Sequence, residues 1–282
     1  MPRFEIWIDG LLAELDQPDA QTAAVHFGQD CVQLPTEQPP LSPAWRTGID
    51  EWGRVWLNGM HADGVGRTRE DLRRYSPMPE YADQFFDVAR IAGVRQCCPD
   101  HCLVSGTHIG PFAAAYMAMG LQRFFADCLL DRRLVEEVLD ARTEWCIAMY
   151  RRAVAQGAEV LVLGEDAAHR QGPMIAPSIW RSLVLPRHRR IIESLDRPVI
   201  WHNDGNLVPL LPMAVEAGFV GVHGLEPAAG VDLRYVSREF GQDLVLVGNV
   251  DIRVLCDADP AALEREVRCA GLVESEARLS AR

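Results

Sequence analysis

Short runs of Val, Ile and Leu recur along the chain with room for a helix between most of them. They predict strands at Phe4–Ile8, Cys31–Leu34, Cys102–Val104, Val160–Leu163, Val199–Trp201, Phe219–Val222 and Leu244–Val247. Between these runs the apolar positions fall at helical spacing. In "SIWRSLVLPRHRRIIESL", Pro177-Ser178 opens a helix, Ile179, Leu183, Ile191 and Ile192 supply its apolar positions, and Pro186 divides it into two pieces. "PLLPMAVEAG" and "DPAALEREVRCAG" predict further helices, with Gly218 and Gly271 as left-handed caps. Strands alternating with helices indicate parallel βαβ units.

The stretch 36–81 breaks this rhythm. It is rich in Pro, Gly and Trp, and "GIDEWGRVW" reads as a compact irregular insertion, since a disordered segment would not carry Trp45, Trp52 and Trp56. The expected organisation is one domain over 1–282, with this insertion folded over one end.

Polar residues gather where the strands end: His108 in "GTHIGPF", Glu165 and Asp166 in "LGED", His202 and Asp204 in "WHNDGN", His223 and Glu226 in "VHGLEP", and Asn249 and Asp251 in "VGNVD". A parallel (β/α)8 barrel builds its active site at those tips from several strands, whereas a doubly wound sheet concentrates its ligands at one switch point. Five loaded tips in succession favour the α/β barrel. His202 and Asp204 stand two apart, so on an extended chain they share a face.

Composition narrows the partners. With 282 residues, 48% of them hydrophobic, the chain can bury a sizeable core, and its net charge of −12 argues against binding nucleic acid or an anionic membrane surface. Small molecules or other proteins are the expected partners. No apolar run approaches the roughly 20 residues that span a bilayer, and "MPRFEIWIDG" lacks the order of a secretion signal, so a cytoplasmic protein is expected. Eight cysteines at irregular spacing read as reduced thiols.

"GTHIGPF", "LGEDAAHRQGPMIAPSIWRSLVLPRHRRII", "PVIWHNDGNLVPLLPMAVEAGFVGVHGLEPAAGVDL" and "LVLVGNVD", in that order, resemble the uroporphyrinogen decarboxylase superfamily over most of Gly48 to Leu255. The resemblance implies a (β/α)8 barrel and one of two chemistries: cofactor-free porphyrinogen decarboxylation, or zinc-dependent methyl transfer with corrinoid proteins. The decarboxylases carry a Met-Arg-Gln-Ala-Gly-Arg stretch after the first strand whose arginines engage substrate carboxylates. Here that place reads "IDGLLAEL", without an arginine. The family's leading helix and eighth strand are also not legible, so a barrel with an open seam is expected, its edges at Phe4–Ile8 and Leu244–Val247 exposed or covered by a partner such as a second copy of the chain.

The corrinoid-linked branch binds zinc through a His-x-Cys pair on the fifth strand, a later thiolate and, in relatives, a glutamate. By that resemblance His202 aligns with the histidine, Asp204 replaces the cysteine, and Glu226 completes a metal set of His202, Asp204 and Glu226 with an open fourth position. Zn2+ is implied, and oxygen ligands also admit Mn or Fe(II). The alternative is that Asp204 merely orients His202, or that the pair binds substrate directly. Asp166 or Glu165 is a candidate general base or partner of His202, with a solvated loop acid as the rival reading. His108, Glu165, His223 and Asn249 are candidate substrate contacts, and Asn249 and Asp251 equally suit a turn that holds loop backbone. "RQCCPDHCLV" precedes the third strand, at the far end from the loaded tips, and reads as incidental thiols. The run Arg187 to Arg190 reads as a solvated helix face. The expected function is methyl transfer between a small, methoxylated substrate and a corrinoid protein, with Asp166, His202 and Glu226 catalytic. A small-acid decarboxylase and a truncated, non-catalytic binding member are the rivals.

Overall fold

The computed structural model describes residues 19–35, 47–50, 52–66, 68–75, 86, 88–107, 110–257 and 259–268. Its contacts divide into two compact units. One takes the described residues up to Thr107 with Ala114–Val162 and Glu193–Pro198, and the other takes 110–113, Leu163–Ile192 and the described residues from Val199 onward. The expected strand at Phe4–Ile8, Trp45, His108 and Gly271 lie outside the described residues.

In the first unit α1 (Ala20–His26) starts where the Asp19 carboxylate accepts from Thr22 N at 2.7 Å, a side-chain N-cap. It leads into β1 (Cys31–Gln33). Among the described residues of the stretch 36–81 there are regular elements. β2 (Thr47–Ile49), β3 (Arg54–Leu57) and β4 (Met60–Gly64) form a three-stranded antiparallel sheet. Asn58 and Gly59, both at positive φ, make the two-residue turn between β3 and β4, the geometry that matches the strands' twist. α2 (Arg69–Arg74) follows a capping box between Thr68 and Asp71. Then come α3 (Val88–Cys97), β5 (Cys102–Thr107), most of α4 (Pro111–Met119), α5 (Leu121–Leu130) and the long α6 (Arg132–Ala155).

Arg142 of α6 anchors the antiparallel sheet. Its buried guanidinium donates to Trp52 O and Tyr75 O, each at 3.2 Å, and lies over the Trp52 ring. Burial first, and the nearby Arg54 second, push it down to about 9. β1 pairs in parallel with β5, Cys31 opposite Cys102. Burial is the leading cause that pushes the Cys102 thiol up to about 12. This supports protonated, unreactive thiols there, and no disulfide occurs among the described residues.

The second unit holds the C-terminal part of β6 (Val160–Gly164), the hairpin β7 (Ala168–His169) and β8 (Gly172–Pro173), α7 (Pro177–Leu183) and α8 (Leu185–Glu193). Next come β9 (Val199–His202), α9 (Leu211–Ala217), β10 (Gly221–Gly224), α10 (Leu233–Phe240), β11 (Val245–Gly248) and α11 (Ile252–Cys256). In this unit β9, β10 and β11 lie side by side in that order. β9, β10 and β11 are mutually parallel in register, with His223 opposite His202 and Gly224 opposite Gly248. The break before Pro186 and the left-handed Gly218 cap fall where sequence places them.

Alternation along β9 sorts its side chains between two layers. Trp201 packs among Trp180, His188 and Phe219, its ring centroid 5.8 Å from each of Trp180 and Phe219, while His202 takes the other face. The helix layer therefore needs α8 to look inward, and Arg187 and His188 are buried. This corrects the reading of Arg187 to Arg190 as a solvated face: four consecutive helical residues sweep about 300° and cannot share one side. β11 ends the strand order, and Val245 is 60% exposed. No helix among the described residues is long and apolar enough to cross a membrane.

Candidate active site

The candidate site grows from the C-terminal ends of β6, β9 and β10. Glu165 and Asp166 follow β6 directly, and Glu165 N donates to His202 O at 2.9 Å, so the ladder between β6 and β9 continues past the strand end. Consecutive residues on extended chain point to opposite sides, and here that separates the two acids. Glu165 turns into the protein, where it is 1% exposed. Its Oε1 accepts from Phe112 N at 3.1 Å and lies 3.1 Å from His188 Nε2, while Oε2 accepts from Ala113 N at 2.8 Å. Both oxygens thus serve the first turn of α4 and a buried imidazole. Glu165 therefore has protein partners at both oxygens.

Asp166 turns the other way and meets His202 and Asp204. One ligand atom from each of Asp166, His202 and Asp204 lies within 4.8 Å of the other two. The imidazole and carboxylate of the His202-Asn203-Asp204 stretch do converge. Asp166 keeps surface in solvent, yet its carboxylate is recessed. Burial, then Asp204, then Glu165 push it up to about 6. Asp204 is raised as well, by burial first and Glu226 second, with His223 opposing.

Glu226 accepts from Gly205 N at 3.0 Å, and so fixes the loop that carries Asp204. The cluster that the structure brings together therefore has Asp166 where the resemblance implies Glu226. His202 Nδ1 and His223 Nδ1 are 2.7 Å apart, so at that contact one ring carries the proton and the other offers its lone pair. Asn249, at φ 80°, donates from Nδ2 to Leu225 O at 2.7 Å and holds the loop after β10, in line with the backbone-holding reading. Asp251 is engaged by Arg253, which lowers its carboxyl.

Two residues of the site carry no clear signal in the sequence. His188 is hidden in a basic run. Asn203, fully buried, accepts at Oδ1 from Ala167 N at 2.7 Å and ties the Asp204 loop to the Asp166 loop. Gly224 permits this approach: at its φ of +112°, an added Cβ would lie 2.0 Å from Asn203 O. Gly224→Ala is expected to cost about 1–3 kcal/mol through backbone strain alone, and more through displacement of the Asn203 loop, as read in urea unfolding.

A family model for uroporphyrinogen decarboxylase (URO-D) matches residues 63–274, a span that contains every residue of this site. The chain belongs to the uroporphyrinogen decarboxylase family. Within it, the chain is 26% identical over 142 residues to a methylated-thiol–coenzyme M methyltransferase of Methanosarcina mazei, covering 50% of this chain and 37% of that protein. It is 25% identical over 152 residues to a methylcobamide:CoM methyltransferase of Methanosarcina barkeri, covering 54% of this chain and 43% of that one. The chain thus aligns with less than half the length of these curated relatives. A solved methyltransferase structure from Methanosarcina mazei superposes with a TM-score of 0.67 at 23% identity, over 88% of this chain and 77% of that one. This match shows the α/β fold, that of the family's barrel.

Proposed function

We propose that this family member transfers a methyl group between a small, methoxylated substrate and a corrinoid protein, using a divalent transition metal held by Asp166, His202 and Asp204. The convergence of these three ligand atoms within 4.8 Å carries the reading. One imidazole nitrogen and two carboxylate oxygens suit Zn2+, Mn or Fe(II) and leave coordination positions open for substrate. The raised Asp166 and Asp204 carboxyls fit this use, because neighbouring recessed carboxylates repel until a cation lies between them. Such a cation supplies Lewis-acid stabilisation to an oxygen leaving group.

The chain's own groups prepare the site. If His202 presents Nε2, its Nδ1–H donates to the lone pair of His223 Nδ1, which fixes the ring's orientation. Glu226 and Asn203 hold the loops that bear Asp204 and Asp166. The names of the two curated relatives support the methyltransferase chemistry and its link to a corrinoid. Oxygen-rich ligation supports a methyl ether over the thiols those names imply.

Purified protein is expected to contain about one divalent metal per chain, lost in His202→Ala, and to methylate cob(I)alamin from methoxylated donors. Elemental analysis and the visible spectrum of the corrinoid read the two halves separately. Full methyl transfer by chelator-treated, metal-free protein would overturn the metal's role, and metal-independent release of CO2 from a small acid without corrinoid methylation would favour a cofactor-free decarboxylase.

A further inference from the structure

The run "RQCCPDHCLV" contributes one residue to a cluster that the proposed function does not use. Cys102 opens β5 and stands opposite Cys31, the first residue of β1, so its partner comes from another strand and not from the run itself. Glu159, just before β6, donates from its N to Leu103 O at 2.8 Å, which brings a third strand start alongside within the first unit. The two thiols lie within hydrogen-bonding reach of each other, and the Cys102 thiol within reach of the Glu159 carboxylate. Cys31 and Cys102 are half-buried, whereas Cys97 and Cys256 are exposed.

Paired positions on parallel strands carry their side chains on the same face, with the backbones about 4.8 Å apart. That spacing is wide for a disulfide, whose Cβ atoms stand about 3.5–4.5 Å apart. It suits a metal between the sulfurs, because metal–sulfur bonds of about 2.3 Å set two sulfurs about 4–4.6 Å apart. Burial first, and nearby negative groups after it, keep both thiols protonated while no cation is present. The acids that oppose bare thiolates here, Asp30 and Glu159, favour a cation between them. Glu159 itself has a cationic neighbour, Arg95 Nη1 at 3.9 Å, and three converging ligand atoms occur among the described residues only at Asp166, His202 and Asp204. The thiols are therefore a two-donor set. Two thiolates with no third ligand select soft Cu(I) over Zn2+, which takes four ligands.

We infer that Cys31 and Cys102 form a binding site for a soft monovalent cation, Cu(I), held between the first residues of β1 and β5. Binding makes two metal–sulfur bonds and releases two thiol protons to water, with no change in the oxidation state of sulfur or copper. The ion clips β1 to β5 where the pair begins, and by binding only the folded arrangement it stabilises that arrangement. None of the residues proposed for methyl transfer takes part, so this site stands independently of that reading.

Anaerobic titration of the reduced full chain against Cu(I) held by bicinchoninate tests this. Wild type is expected to withdraw one Cu(I) per chain from the chelator, with thiolate-to-copper absorption in the near ultraviolet. Cys31→Ser and Cys102→Ser should each weaken that competition by more than about 100-fold, beyond the usual loss from an outer-shell change. The double variant Cys97→Ser/Cys256→Ser, and His202→Ala, should compete as wild type does. Hydrogen exchange on wild type gives a reading that depends on no substitution: Cu(I) should slow exchange at Cys31–Gln33 and Cys102–Val104, the paired segments of β1 and β5. Failure of wild type to take Cu(I) from the chelator would overturn the inference. So would competition that survives Cys102→Ser or vanishes in Cys97→Ser/Cys256→Ser, or slowed exchange that falls outside β1 and β5.

Discussion

Replacing Glu165 by alanine is expected to destabilise the protein by about 3–5 kcal/mol, the scale for removing one partner of a buried, hydrogen-bonded charged group. Three donors depend on this carboxylate: Phe112 N, Ala113 N and, from α8, His188 Nε2. All three are buried, and water cannot replace the lost acceptor without entering an aromatic layer of Phe112, Trp180 and Trp201. The local sequence is shaped around this contact. Pro111 at the first turn of α4 has no N–H to leave unsatisfied, and at Gly110 any Cβ would lie 2.6 Å from the Glu165 carboxyl. Glu165→Gln keeps the volume and one acceptor oxygen, so a smaller loss of about 1–3 kcal/mol is expected. Urea unfolding monitored by tryptophan fluorescence measures both, with an unchanged slope. A loss below about 1 kcal/mol for Glu165→Ala would mean that the pairing is incidental.

Much of this architecture is legible in the pattern of the chain itself. Apolar runs mark β1, β5, β6, β9, β10 and β11, because a strand buried between layers is simply a short run of Val, Leu and Ile. The polar residues at strand ends include the three whose ligand atoms converge, Asp166, His202 and Asp204. The division of labour within it is harder. Glu165 and Asp166 are neighbours of the same chemistry, and only the direction of β6 and the nearness of α4 decide that one serves the fold and the other the cluster. His188 shows the same difficulty, since a histidine between arginines reads as solvated until the helix phase is known. The insertion is a different case. Its Asn58-Gly59 pair is a strong hairpin signal, but weighing its Trp and Pro content first obscures it. The substitution of Asp166 for Glu226 in the cluster depends on a long-range fact, the bond from Gly205 N to Glu226, which one sequence does not display.

Asp166→Asn and Glu226→Gln are expected to separate the two candidates for the third ligand by the size of their effects on metal binding. Asn at 166 removes an anionic ligand from the cluster, and metal affinity should fall by more than about 100-fold, beyond the usual loss from an outer-shell change. Gln at 226 retains an oxygen for Gly205 N, so the Asp204 loop stays in place and affinity should fall by less than about tenfold. Metal-free protein gives an independent reading. Asp166 is raised from 3.8 to about 6 in the folded chain, so folding is opposed by its ionisation above pH 6, and the opposition fades as pH falls from about 6 towards 4. Asp166→Asn should therefore melt at a higher temperature than wild type in chelator at pH 8, with the difference shrinking towards zero at pH 4. Competition with protons predicts in turn that wild-type metal affinity weakens as pH drops through the same window. If Glu226→Gln loses the metal while Asp166→Asn retains it, the ligand is Glu226 and the Gly205 contact gives way on binding. If Asp166→Asn melts below wild type at pH 8, the carboxylate is stabilised in the folded chain and the recessed, mutually repelling cluster is not what the protein forms.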